Sequence, residues 1–148
     1  MTTQPKPEHQ MEDMRLQVAK RMENIEPLRT LGNLLQTKLN PDGAIQISGP
    51  TQSLLIKRLV IQAISDIPGI MDIQDDIVAD PDLELAVARA LSQDHRTRDL
   101  PPASLFIRSH LGVITLLGNL PSAFNLQDIV DVVSNVHAVR GVRVRLHS

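Results

Sequence analysis

The hydrophobic positions of this chain follow one pattern twice. Residues 13–79 and 82–148 align without a gap at a shift of 69 residues, and the apolar positions of one copy recur in the other. Each copy opens with helical spacing, continues with two short alternating stretches, and ends with a second helical stretch and a last alternating strand. The pattern predicts two copies of one αββαβ module of about 65–70 residues, near the lower size for independent folding.

The second copy shows the module most clearly. Asp80 is predicted to cap a helix whose apolar face runs from Leu83 to Leu91. Residues 104–117 are predicted to form a β-hairpin, and Ser122 is predicted to start the second helix.

The final strand, residues 142–146, follows this helix, so the connection between the second and third strands is a crossover. The predicted fold class is therefore α+β, with two tandem copies of the module, each a small mixed three-stranded sheet covered by two helices on one face. The predicted boundaries are a disordered N-terminal tail at 1–10, a first repeat at 11–79 and a second repeat at 80–148.

One strand breaks the repeat. In the first copy Leu35, Thr37 and Leu39 are predicted to face inward, whereas in the second copy Leu105 and Ile107 are. Because side chains alternate with a period of two, this change of parity predicts a one-residue slip in that strand or its preceding loop.

Glycines bound the predicted strands and are expected to be structural turn residues, since glycine adopts positive φ at no steric cost. These glycines are Gly43, Gly49, Gly69, Gly112, Gly118 and Gly141.

The order of motifs resembles the BON domain, the module named for bacterial osmotically inducible and nodulation proteins. That family has an Asp-led helix with an apolar face, then Gly-x-Val-x-Leu-x-Gly, then a Ser-led helix that closes on Gly-Val-x-x-Val-x-Asn-x-Leu. The chain supplies residues 82–91, 112–118 and 136–146 in the second copy, and residues 43–49 and 67–77 in the first. Ala138 stands where the family prefers glycine, and Val144 where it prefers Asn or Asp.

The resemblance implies a non-enzymatic binding module for phospholipid or other envelope components, with a role in envelope or osmotic stress protection. Tandem members typically carry an export signal or a lipid anchor. This sequence shows no signal peptide, transmembrane segment or lipidation cysteine. We therefore expect a cytoplasmic protein whose contact with membranes is peripheral.

Composition excludes several classes of function. The formal net charge is −2, there is no cysteine, and Phe106 and Phe124 are the only aromatic residues. Disulfides and thiolate metal sites are therefore excluded, and a nucleic-acid surface built on base stacking is disfavoured. No spacing of histidines or carboxylates predicts a metal, a cofactor or a catalytic group, so we expect no enzyme activity.

A basic set on the second copy is the candidate lipid- or anion-binding site. The set is Arg143, Arg145 and Arg108, supported by Arg140 and His110. Strand alternation places Arg143 and Arg145 on the sheet face away from the helices, and Arg108 joins them if the third strand lies beside the first. The alternative interpretation is an ordinary solvated sheet face.

The first copy has Gln74 and Asp76 where the second has Arg143 and Arg145. Two interpretations stay open: the second copy alone binds an anion, or acidic and basic edges meet within or between chains.

Apolar positions beyond the core stripe predict a surface that packs on the other repeat or on a second chain, with lipid contact or a broad core as the alternatives. They are Ile56, Leu59, Val113 and Leu117. The alternative function is therefore a cytoplasmic module that docks a protein partner or forms a homodimer through these side chains.

Overall fold

The computed structural model describes the backbone of residues 7–147 and the side chains of residues 10–147. The chain divides into two compact units between Ile77 and Val78. The helices and strands are α1 (Pro7–Glu23), α2 (Glu26–Leu31), β1 (Gln36–Leu39), β2 (Ala44–Thr51), α3 (Leu54–Ser65) and β3 (Asp72–Ala79), followed by α4 (Asp80–Gln93), β4 (Leu105–His110), β5 (Val113–Asn119), α5 (Leu126–Ser134) and β6 (Gly141–His147). Helix α1 begins inside the segment for which a tail is predicted, and residues 1–6 lie outside the described residues.

Each unit has a three-stranded mixed sheet with its second strand in the middle. The strand orders are β1-β2-β3 and β4-β5-β6. In the second unit β4 runs antiparallel to β5, and β6 runs parallel to it. The predicted α+β class and the crossover between the second and third strands agree with this topology.

Helices cover one face of each sheet because their apolar stripes pack on the inward positions of the central strand. In the second unit, Val87 of α4 and Ile129 of α5 are fully buried beside Ile114 and Leu116 of β5. In the first unit, Val18 of α1 belongs to a similar cluster of buried hydrophobic side chains. The opposite sheet face of the second unit is left half-buried or exposed.

The predicted one-residue slip is present, and the hairpin turn accounts for it. Thr37 pairs with Ile47 in the first unit, whereas Ile107 pairs with Leu116 in the second. The turn of the first unit is the three-residue loop 41–43, closed by a 2.8 Å bond from the Asn40 N–H to the Ala44 carbonyl. The second unit uses the two-residue loop 111–112, so β4 lies one residue out of step with β1.

Two local predictions were wrong, and one helix was not predicted. Ala79 is the N-cap of α4, and Asp80 is its first helical residue. Helix α5 begins at Leu126 after the N-cap Asn125, whereas Ser122 lies in the turn before it. The Asn125 side chain accepts the Gln127 N–H at 2.9 Å, which fixes the later start. The first unit also has an unpredicted helix, α2, with a proline in its first turn and Leu28 buried.

Five of the six predicted turn glycines have positive φ; Gly141 does not, because it is the first residue of β6. Ala138 has φ +77°, in the left-handed region, where its counterpart Gly69 has φ +93°. The second unit therefore has a side chain at a turn that favours glycine.

We expect Ala138→Gly to raise the free energy of unfolding by about 0.5–1 kcal/mol, because relief of left-handed strain exceeds the entropy that glycine loses on folding. Urea unfolding followed by circular dichroism measures it. The reciprocal change, Gly69→Ala, should destabilise the protein, since a Cβ there meets only the flexible Met14 side chain and the cost is mainly that of φ. A loss of stability in Ala138→Gly would contradict the assignment of strain.

Candidate functional site: the outer sheet face of the second unit

The sheet face away from α4 and α5 brings the predicted basic residues together. The register places Arg108 of β4 and Arg143 of β6 on either side of Thr115 of β5. One step along, Phe106 and Arg145 lie on either side of Leu117. Strand β5 lies between β4, which carries Arg108, and β6, which carries Arg143 and Arg145. The prediction grouped Arg108 with the other two on the condition that β6 lies beside β4, and this condition is not met. The arginines nevertheless share one face, which we call the outer sheet face: Phe106, Arg108, His110, Thr115, Leu117, Arg143 and Arg145.

A shallow cavity of about 470 Å³ opens on this face. Its lining residues are Arg108, Ser109, His110, Thr115, Leu117 and Arg145. Three of the five predicted anion-binding residues therefore border one depression, and Arg143 lies at the position paired with Thr115. The floor supplies a hydroxyl and an apolar side chain, and the rim supplies cations.

The three arginines are available to a ligand. Arg108, Arg143 and Arg145 are exposed. Among the described side chains, none of them forms an ion pair or a hydrogen bond to another protein group. Guanidinium groups bind phosphate oxygens in bidentate geometry, so this arrangement suits a phosphate ester.

Arg140 contacts the hairpin turn. Its guanidinium donates to the Leu111 carbonyl at 2.8 Å, and its backbone N–H donates to the Gly112 carbonyl at 2.8 Å. Arg140 therefore stabilises the hairpin turn next to His110 through these two hydrogen bonds.

The same turn is held by a buried carboxylate that the sequence pattern assigned to helix capping. Asp80 is 6% exposed and accepts the Leu111 and Gly112 N–H groups at 2.8 and 3.1 Å, and the Ser109 hydroxyl at 2.7 Å. Leu111 and Gly112 both have positive φ, as in a type I′ turn, which points their N–H groups at one acceptor. Asp80 thus fixes the end of the outer sheet face.

The first unit has the opposite chemistry on its equivalent face. The Gln46 amide, at the position of Thr115, donates to Asp76, at the position of Arg145, at 2.8 Å. The neighbouring Asp75 forms a 3.8 Å ion pair with Lys57. Asp76 of this face is thus already bonded, whereas Asp75 alternates to the helix side of the sheet, and the set of three arginines is confined to the second unit.

The predicted packing surface is only partly exposed. Ile56 is only 6% exposed, because it lies on the inward face of α3 in the core of the first unit. Its assignment to the packing surface was therefore wrong. Leu59 is 36% exposed on the same helix. Leu117, in the outer sheet face, and Val113, which pairs with His110 and Gly141, are half-buried, and Leu117 lines the cavity.

Sequence reasoning missed Thr115 and Phe106. Phe106 is 59% exposed beside Leu117. Both residues alternate outward in their strands, and that period-two signal was sufficient to find them once the register of β4 was known.

Away from this face, Arg96 ties the segment after α4 to α5. It donates to Asp94 at 3.1 Å, and lies 3.9 and 3.7 Å from Asp128 and Asp131. The hydrogen bond from the Arg96 side chain is the main reason that the pKa of Asp94 lies below its ordinary value of 3.8. Among residues 10–147 no three histidine, aspartate or glutamate side chains are grouped so as to hold a metal ion.

The site lies in a recognisable unit. Residues 79–147 match the family model of the BON domain. One BON domain is therefore found, and it contains the whole outer sheet face. BON domains are a non-catalytic family of binding modules that is thought to bind phospholipids. A second BON domain in the first unit, and membership of the osmotically inducible tandem proteins, remain predictions from the repeat.

Solved structures also resemble the chain. One is CdsD, a structural protein of the type III secretion system of Chlamydia trachomatis, with a TM-score of 0.43 and 8% identity over 91% of each chain. The C-terminal domain of CdsD gives a TM-score of 0.43 at 9% identity, over 92% of this chain and 98% of that one. No curated protein matches the sequence significantly. In the part of the chain that the structure describes, every helix is too short or too polar to cross a membrane.

Proposed function

We propose that the BON domain of this protein binds anionic phospholipid head groups through its outer sheet face. The observation that carries the proposal is the shared face of Arg108, Arg143 and Arg145, which have no acidic partner among the described side chains, around a cavity bordered by His110. The family is thought to bind phospholipids, which supports the choice of ligand. Protection of the envelope or against osmotic stress rests on the same lipid contact.

The face combines charge with apolar surface. Each cation near an anionic bilayer contributes on the order of 1 kcal/mol, so three arginines give weak, salt-sensitive binding. Phe106, beside Leu117 and Arg145, can rest at the level of the head groups. The domain then docks on the surface of the bilayer.

Co-sedimentation with vesicles tests the proposal. We expect binding to phosphatidylcholine vesicles that contain phosphatidylglycerol, no binding to phosphatidylcholine alone, and loss of binding as salt rises towards physiological strength. The double variant Arg143→Glu/Arg145→Glu should weaken vesicle binding by at least about tenfold, because two attractions become repulsions. Full binding by that variant would refute the assignment of the site.

The matched control changes the same charge elsewhere. Lys20 and Arg58 are exposed in the first unit. Lys20→Glu/Arg58→Glu should bind vesicles nearly as well as the unchanged protein. Equal loss in both double variants would mean that net charge alone, and not the outer sheet face, drives binding.

The second candidate function is a protein-interaction module. Leu55 and Leu59 are 66% and 36% exposed on α3, which leaves apolar surface on the first unit. Docking through these side chains would be insensitive to salt, whereas arginine-mediated lipid binding weakens with salt. A solution mass that falls to that of a monomer in Leu59→Asp would support self-association.

A further inference from the structure

The first unit contains an apolar groove between α1, α2 and β1. Its volume is about 430 Å³. Val18, Met22 and Ile45 form a buried floor, and Leu28 forms a wall. Arg29 and Arg15 are exposed and lie at the rim. Sites for small molecules have this character, with an apolar lining and few polar groups.

The second unit has a groove in the same place, of about 370 Å³. Ala88, Leu91 and Arg98 line it, each 69 residues after Ala19, Met22 and Arg29 of the first groove. The strand residues correspond as well once the slip of β4 is included: Leu105 and Ile107 take the places of Leu35 and Thr37. The groove is thus part of the module, and it occurs twice.

Both grooves present an available arginine at the same corner. Arg29 and Arg98 are exposed, and among the described side chains neither forms an ion pair. The only acidic residue on either rim is Glu23, which is Ser92 in the second groove. The chemistry that the two grooves share is therefore an apolar trough with one cation at its edge.

Size and charge together indicate the occupant. An α-helix is about 10 Å wide with a pitch of 5.4 Å, so a groove of this volume holds only about one helical turn. A single unbranched hydrocarbon chain fits such a trough better than a docking peptide. The arginine requires an anionic group at one end of that chain.

We propose that each unit binds one long-chain fatty acid, with the chain in the groove and the carboxylate on Arg29 or Arg98. These sites lie on the helical side of each unit and are separate from the outer sheet face. Burial of one more CH₂ group favours binding by roughly fourfold, so affinity should rise steeply from octanoate to dodecanoate.

Calorimetric titration of the full chain with dodecanoate below its micelle concentration tests the proposal. We expect two bound molecules per chain, and at least about tenfold weaker binding of dodecyltrimethylammonium, which carries the opposite charge. Arg29→Glu should remove one site, and Arg29→Glu/Arg98→Glu should remove both. Ala19→Trp, which fills the first groove from an exposed position, should also leave one site.

The controls separate this proposal from the previous one. Arg58→Glu, on exposed surface of the first unit, and Arg143→Glu/Arg145→Glu, on the outer sheet face, should leave dodecanoate binding unchanged. Absence of dodecanoate binding, or binding by Arg29→Glu/Arg98→Glu within about threefold of the unchanged protein, would overturn the fatty-acid sites. Neither outcome affects the vesicle experiment, which depends on different arginines.

Discussion

Replacing Gly118 by alanine should destabilise the second unit by roughly 3 kcal/mol or more. Gly118 has φ +129°, a conformation that residues with a Cβ rarely adopt, and such strain alone costs about 1–3 kcal/mol. A Cβ at this position would also overlap the backbone carbonyl oxygen of Ser104, the residue just before β4. Because Gly118 pairs with Leu105, the overlap cannot be relieved without separating β4 from β5. Thermal and urea unfolding measure the effect.

Gly141→Ala is the matched control. Gly141 has no positive φ, and a Cβ there meets only Val113 Cγ1 at 4.0 Å, an ordinary contact. We expect its stability to lie within about 0.5 kcal/mol of the unchanged protein. Equal losses in the two variants would show that glycine in these strands matters for a reason other than the approach of β4.

Asp80→Ala should cost about 3 kcal/mol of stability and weaken lipid binding. The change removes the acceptor of two backbone N–H groups and one hydroxyl, and leaves the buried Gly112 N–H and the half-buried Leu111 N–H and Ser109 hydroxyl without this partner. Hydrogen bonds to charged groups contribute roughly 1.5–3 kcal/mol each, although the losses at one site do not add fully. The 111–112 turn should loosen first, and amide hydrogen exchange at Leu111 and Gly112 reports that directly.

The control for Asp80 is Asp82, which is exposed in the same first turn of α4. Asp82→Ala loses only an interaction with the helix dipole, about 0.3–1 kcal/mol. If Asp80→Ala were no more costly than Asp82→Ala, the carboxylate would not hold the turn. If lipid binding stayed unchanged while the turn loosened, the hairpin turn would not contribute to lipid binding by the outer sheet face.

The two units stabilise the equivalent hairpin turn with different hydrogen bonds. In the first unit Asp42 lies within the turn and accepts the Ala44 N–H at 3.2 Å. In the second unit the acceptor is Asp80, which reaches Leu111 from a separate helix. A turn with its own polar residues is stable locally, whereas one with leucine at positive φ depends on tertiary contact. The turn beside the basic face therefore depends on a side chain from outside the hairpin.

Sequence alone determined the features that repeat locally. The repeated spacing of apolar positions, the order of elements in the second unit and the BON resemblance of residues 79–147 are visible in the spacing of apolar residues and glycines. Alternation also placed Arg143 and Arg145 on the face away from the helices, because strand side chains have a period of two.

Tertiary structure decided what depends on residues far apart in the chain. It placed β5 between β4 and β6, so Arg108 and Arg145 border one cavity from opposite sides of β5. It also brought the Asp80 carboxylate into hydrogen-bond contact with a turn 31 residues away, and it buried Ile56 in the core. Local pattern specifies which way a side chain points, but strand order and packing fix what it meets, and these follow from the free energy of the whole unit.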